Sequence, residues 1–180
     1  MANLSAARQS PTLAPGSPVR LLPPASRFVL RGGPAVMAAA QGPLGLTISD
    51  TACRSARAGE RAALWMGPDE QLLLAPLVEG ETLRRELDSA LAGLPHSLVE
   101  VSHRQIALEL TGPRAQTILN AGCPLDLHIN SFPVGMCTRT VLGKCDIVLW
   151  RTGADTFHVE VWRSFAEYAS RFLAEAGETL

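Results

Sequence analysis

From Thr156 to Trp162 apolar and polar residues alternate. Phe157, Val159 and Val161 fall on one side, and His158, Glu160 and Trp162 on the other, the period-two pattern of a half-buried strand. The residues from Cys145 to Trp150 form an apolar run just before it. Between the two lies Thr152-Gly153-Ala154-Asp155, which has turn chemistry: glycine takes positive φ, and aspartate bonds back to its own backbone. Ser164 with Glu167 three residues on is a capping-box pair. Phe165, Ala169, Phe172 and Leu173 then lie on one helical stripe. The stretch from Phe132 to Phe172 therefore predicts strand, turn, strand, helix.

An earlier stretch has the same order. Ala62 to Met66 reads as a strand, Gly67-Pro68-Asp69 as a turn, and Gln71 to Leu74 as the return strand. Glu81 to Leu91 follows as a helix, with Leu83, Leu87, Ala90 and Leu91 inward and Arg84, Arg85, Glu86 and Asp88 outward. Gly93 and Pro95 stop it. Leu64-Trp65 matches Leu149-Trp150 at an offset of 149 − 64 = 85. One such unit cannot bury both its sheet and its helix, so two copies are expected to pack together.

Between the copies, Leu98 to Val101 predicts a strand, Ser102-His103-Arg104 a turn, and Gln105 to Leu110 an alternating strand. Gly112-Pro113 opens a short helix, since proline is tolerated at a first helical position. Phe132 to Val141 predicts a further strand. The fold class is α+β: mostly antiparallel sheet with helices packed on one face, in two similar strand-turn-strand-helix halves. Residues 1–20 are expected to be an extended or disordered arm, 21–96 the first half and 97–180 the second, together one body.

The arm reading rests on composition. Residues 1–49 hold four arginines, no Asp or Glu, and seven of the 13 prolines. Proline fixes φ and removes a donor, which argues against a continuous helix or central strand there. Arg27-Phe28-Val29-Leu30-Arg31 is the exception, a short edge strand. Charged residues make up 18% of the chain against 47% hydrophobic. Such a surface suits either coverage by a partner or a simple Ala- and Leu-rich composition. A net charge of −1 gives no nucleic-acid footprint. Cys53, Cys123, Cys137 and Cys145 lie far apart, without a C-x-x-C pair or a signal peptide ahead of them, so reduced thiols in a cytoplasm are expected. No apolar run is long enough for a membrane span.

Candidate chemistry is sparse. His96, His103, His128 and His158 are the available bases or ligands. His103 sits in the most site-like place, a turn, although turn histidines commonly serve the surface or the backbone. His158 beside Glu160 predicts a solvated or interface pair. Cys123, Asp126 and His128 are close in sequence, but zinc needs further ligands, and Cys137 and Cys145 are too scattered to supply them. Gly143-Lys144 is a turn rather than a phosphate loop, and no dinucleotide fingerprint occurs. Arg114, or Arg139 between Thr138 and Thr140, could hold an anion but reads first as surface charge. Asp69 and Glu70 are adjacent in a turn, where side chains seldom converge. Trp65 and Trp150 read as packing residues, and Trp162, if exposed, suits a protein interface. No catalytic residue and no metal ligand is expected, and no cofactor-binding residue is assigned.

Three blocks carry a resemblance: LWMGPDEQLLLAP (64–76), VSHRQIALELTGPRAQTILNAGCPLDL (101–127) and FPVGMCTRTVLGKCDIVLWRTGADTFHVEVWRSF (132–165). Together they resemble the gamma-subunit family of heterotetrameric sarcosine oxidases. The middle block is shared in outline with the folate-binding aminomethyltransferases, the T-protein family of glycine cleavage. One departure is Gln71, where the family usually reads GPDEW. The resemblance implies an aminomethyltransferase-like fold and a non-catalytic structural subunit with alpha, beta and delta partners. It implies that the assembly oxidises sarcosine to glycine, with hydrogen peroxide and formaldehyde or 5,10-methylenetetrahydrofolate as co-products. FAD, covalent FMN and NAD are then expected on alpha and beta, and zinc on delta. The alternative is a stand-alone folate-binding one-carbon transfer module.

Overall fold

Among the described residues, ten strands and four α-helices follow one another in an order that repeats once. The first set is β1 (Val19–Leu21), β2 (Ala25–Gly32), α1 (Pro34–Leu44), β3 (Ser55–Ala58), β4 (Arg61–Gly67), β5 (Glu70–Pro76) and α2 (Gly80–Ala90). The second is β6 (His96–Glu100), β7 (Gln105–Thr111), α3 (Ala115–Asn120), β8 (Cys137–Leu142), β9 (Cys145–Gly153), β10 (Thr156–Trp162) and α4 (Ala166–Thr179). This computed structural model describes residues 17–179; most of the expected arm, residues 1–16, lies outside the described residues.

The strands form two five-stranded sheets, in the orders β3-β4-β5-β2-β6 and β8-β9-β10-β7-β1. All the ladders between these strands are antiparallel. Each sheet takes its last strand from the other half of the chain. β1 edges β7, and β6 edges β2, so chain halves and sheets do not coincide.

Three cores hold the layers. Phe28, Leu30, Leu73 and Ala75 of the first sheet pack under Val36, Leu83 and Leu87 of α1 and α2. Leu108, Leu149, Phe157, Val159 and Val161 of the second pack under Ile118, Ala169 and Leu173 of α3 and α4. Between the sheets lie Ala62, Leu64, Leu72, Leu74, Val148 and Trp150. Helices thus cover the outer face of each sheet, and the inner faces meet. Each fully buried leucine or valine in these layers contributes about 1.5–3 kcal/mol.

Several expectations change. Arg27 to Arg31 belongs to an interior strand, not an edge: β2 lies between β5 and β6. Proline density hid this, but Pro24 ends just before β2 and Pro34 begins just after it, so every ladder donor inside the strand is intact. α1 was also unexpected. Pro34 sits in its first turn, where a missing N–H costs nothing, and Gly45 closes it with φ 67°, donating to Gln41 and Gly42. The capping box is replaced by a 3-10 turn at Arg163–Phe165 without a side-chain cap, and Glu167 instead pairs with Arg171.

The repeat is real but its register is 86, not 85. Ala63 pairs with Leu73, and Leu149 pairs with Val159, so 149 − 63 = 86 and 159 − 73 = 86. The helices agree, since Leu83 and Leu87 match Ala169 and Leu173. Aligning on the Leu-Trp dipeptides slips the strand by one residue, which exchanges its faces. The counterpart of Trp150 is Leu64, and both lie between the sheets.

Candidate functional site

The inner faces carry the chain's most unusual chemistry. β2 alternates, sending Phe28 and Leu30 toward the helices and Arg27 and Val29 toward the other sheet. β10 does the same, turning His158, Glu160 and Trp162 to the side opposite Phe157, Val159 and Val161. Arg27 and Glu160 therefore meet between the sheets. Arg27 donates from Nε to Glu160 Oε2 at 2.7 Å and from Nη2 to Oε1 at 3.1 Å. Its Nη1 donates to the carbonyl of Ala25 at 2.9 Å. The two side chains are 2% and 0% exposed. The expectation of a solvated or interface His158–Glu160 pair is thus corrected: the pair exists at 2.8 Å, but its carboxylate is sealed between the two sheets of this chain.

Burial alone would raise the Glu160 carboxyl. The hydrogen bond and charge of His158, with those of Arg27, outweigh it and hold the group below the ordinary carboxylate range. With both oxygens engaged, this carboxylate is a fixed charge and not a base poised near neutrality. His158 continues the chain of contacts: its ring lies 5.6 Å from that of Trp150, and Arg57 lies 5.9 Å above Trp150 from outside.

Two open bays lie along the inner faces, and the ion pair lines one of them. One, of about 400 Å³, is walled by Arg27, Leu74, Ala107, Trp150, His158 and Glu160. The other, of about 510 Å³, lies farther along the same strands, among Val29, Leu72, Gln105, Val148 and Trp162. On one side the sheets are stitched together. Arg54 bridges Met136, Cys137 N–H donates to Cys53 O at 2.9 Å, and Arg139 reaches Glu70 and the Met66 carbonyl.

The other candidates are not brought together. His96 is exposed and bonds the Leu94 carbonyl, and His103 is exposed in its turn. Cys123 is buried and faces Thr140 Oγ1 at 3.8 Å, while Asp126 and His128 brace their own loop. The Ser131 hydroxyl and the His128 amide lower the Asp126 carboxyl. Among the described residues no group of three His, Cys, Asp or Glu side chains could hold a metal ion. Asp69 pairs with Arg31, not with Glu70. Arg114 is exposed at the start of α3, and Trp162 is 47% exposed. The four cysteines are free, and no helix among the described residues is long and apolar enough to cross a membrane.

Arg151 went unnoticed in the sequence. It is 3% exposed and donates from Nη1 to the carbonyls of Leu127 and Phe132 at 2.9 Å each, and from Nε to Ala154 O at 3.1 Å. Its guanidinium lies 4.8 Å from the centre of the Phe157 ring. It fixes the long connection between α3 and β8. The only hint in sequence is an arginine continuing an apolar run.

Two helix-clad antiparallel sheets, packed face to face, are a fold that this chain has in common with an aminomethyltransferase. Aminomethyltransferase T of the glycine cleavage system from Bartonella henselae superimposes with a TM-score of 0.66 at 15% identity, over 86% of this chain and 44% of that one. At that identity the likeness concerns the fold alone. The chain belongs to the sarcosine oxidase, gamma subunit family, whose model matches residues 31–179. It is 39% identical over 115 residues to sarcosine oxidase subunit gamma of Corynebacterium sp. (strain P-1), a stretch covering 64% of this chain and 56% of that relative. The match thus spans little more than half of the relative's length. A chain of the heterotetrameric sarcosine oxidase from Corynebacterium sp. U-96, in complex with pyrrole 2-carboxylate, superimposes with a TM-score of 0.83 at 31% identity, over 89% of this chain and 83% of that one.

Proposed function

We propose that this chain is the gamma subunit of a cytoplasmic heterotetrameric sarcosine oxidase and serves it through contacts, leaving the oxidative demethylation of sarcosine to alpha and beta partners. FAD, FMN and NAD reside on those partners in this reading, and zinc on delta. The observation that carries it is the likeness, at a TM-score of 0.83, to a chain of an assembled heterotetrameric enzyme. The site chemistry supports it. The buried charges Arg27 and Glu160 are spent on one another, and Trp162, Phe165, Val99 and Val134 stand exposed on the surface, where a partner can cover them.

Co-expression with the other three subunits tests this. The chain should co-purify with them as a stable complex, and by itself should be colourless and inactive toward sarcosine. A stable monomer that ignores those subunits, or turnover by the chain alone, overturns the reading. Calorimetric titration of tetrahydrofolate into the isolated chain separates it from a stand-alone folate module, which would give saturable heat.

A further inference from the structure

Cys53 and Cys137 stand opposite each other where the two sheets are stitched together. Arg54 is bridged antiparallel to Met136, which sets Cys53 against Cys137. The Cys137 amide donates to the Cys53 carbonyl at 2.9 Å, and the Ser55 amide to the Gly135 carbonyl at 2.8 Å, so the stitch runs as a short ladder. In a hydrogen-bonded antiparallel pair the α-carbons stand about 5.5 Å apart, inside the roughly 4.4–6.8 Å that a disulfide spans. Both cysteines are free thiols.

The two thiols differ in environment. Cys137 is fully buried in the core between the sheets, and its Sγ donates to the Trp65 carbonyl at 3.7 Å. Burial keeps it a thiol at neutral pH; a charge on Cys53 raises it further and that of Arg54 lowers it, so both lie within electrostatic reach of its sulfur. Cys53 is partly exposed. Among the described residues it is the one non-glycine with a positive φ, 58°, a strained conformation of the kind that collects at functional positions. Beside it, Nη1 of Arg54 is buried with no hydrogen-bond partner among the described residues. Oxidant-sensitive cysteines occupy such electropositive, partly exposed places next to a second thiol. Cys123 and Cys145 lie elsewhere, buried in the core under α3 and α4.

We infer that Cys53 and Cys137 form an oxidant-sensing pair, which closes to a disulfide across the stitch between the sheets when the chain meets a hydroperoxide. The Cys53 sulfur takes one oxygen from hydrogen peroxide. The O–O bond breaks, the other oxygen leaves as water, and Cys53 becomes a sulfenic acid. The Cys137 sulfur then attacks that of Cys53. The S–S bond forms as the S–O bond breaks, and the displaced hydroxyl leaves with the Cys137 proton as a second water. Two thiols are oxidised and one peroxide is reduced. The link ties the segment leading into β3 to the first residue of β8, so it fastens one sheet to the other.

The reduced full chain, treated with hydrogen peroxide, blocked with iodoacetamide in denaturant and digested without reductant, tests this by mass spectrometry. One dominant linked product is expected, joining the Cys53 and Cys137 peptides, with Cys123 and Cys145 still alkylated. The urea midpoint should rise on oxidation, because the link restricts the unfolded chain, and should return with dithiothreitol. Cys53→Ser should abolish the linked product and leave Cys137 a thiol. Cys137→Ser should stop at a Cys53 sulfenic acid that dimedone captures. Melting curves establish that each variant is folded, and if one is not, the peptide map of the parent chain decides alone. Oxidation of Cys53 to a sulfinic acid without a link, a Cys53–Cys53 bond between two chains, a link through Cys123 or Cys145, or an unchanged thiol count overturns the proposal. The assay uses this chain alone, so its outcome is independent of whether the chain joins an assembly.

Discussion

Arg27 and Glu160 lie 133 residues apart in sequence and close a two-pronged ion pair between the sheets. The internal repeat does not produce this pair twice. Arg27 pairs in its ladder with Leu74, and Glu160 pairs with Ala107. Under the 86-residue register Leu74 is the counterpart of Glu160, since 160 − 74 = 86. One half supplies the cation and the other the anion, while the matching positions are apolar. The pair thus specifies how two unlike halves face one another.

Removing one partner should be costly and removing both should not. Glu160→Gln leaves the Arg27 charge buried without a counter-ion and should lose about 3–5 kcal/mol in urea unfolding at pH 7. Arg27→Met with Glu160→Leu should recover most of that loss. The effect depends on pH with a definite sign. The folded carboxyl lies below its ordinary value. Its stabilisation is therefore complete above the ordinary glutamate range, about 4.3, and is lost as pH falls through the lower, folded value. The gap between parent and Glu160→Gln should narrow in acid below that range.

The apolar faces of the elements were legible because periodicity reports them directly. Phe157, Val159 and Val161, and Leu83, Leu87 and Leu91, are buried where alternation and the helical stripe place them. Alternation cannot show that the opposite face is also covered. Glu160 reads as a solvated or interface residue until a second sheet of the same chain is laid on it. Its partner, Arg27, lies in a proline-rich region, in a stretch that reads only as a short edge strand. The repeat misled through its two tryptophans: Trp65 and Trp150 draw the eye to offset 85, whereas the ladders and helices require 86. The α1 signals, Pro34 and Gly45, were present but submerged among other prolines.

Arg151 should prove sensitive to the shape of its head group. Its fork satisfies the Leu127, Phe132 and Ala154 carbonyls at once, which a lysine ammonium on a flexible stem cannot do. Arg151→Lys keeps the charge and should still cost about 2–4 kcal/mol, because hydrogen bonds to charged groups are worth roughly 1.5–3 kcal/mol each. Hydrogen exchange should show the loss first in the connection between α3 and β8.

Thiol reactivity should separate the four cysteines. Burial, against a hydrogen bond to the Trp65 carbonyl, pushes the Cys137 thiol up to about 12. At pH 8 its thiolate fraction is on the order of one in ten thousand. Burial also raises Cys145, and Cys123 is buried. Cys53 is partly exposed. Iodoacetamide at pH 8 should label Cys53 first, read by peptide mass spectrometry, with Cys137 labelled only after unfolding. Labelling of Cys137 in the folded chain at the rate of Cys53 would contradict the buried position between the sheets.

The short strand β1 should matter to the fold and not only to assembly. Val19 is 3% exposed within the core under α3 and α4, and the Thr111 amide donates to the Pro18 carbonyl. Leu22 N–H donates in turn to Ala107 O at 2.9 Å. A truncation that begins at residue 23 strips all of these and leaves β7 as an unpaired edge, a template for pairing with other chains. That variant should exchange the Thr111 amide faster, unfold at lower urea and aggregate on warming. A truncation that begins at residue 17 should keep the parental urea midpoint. Equal stability of the two truncations would show that β1 contributes nothing to the sheet it edges.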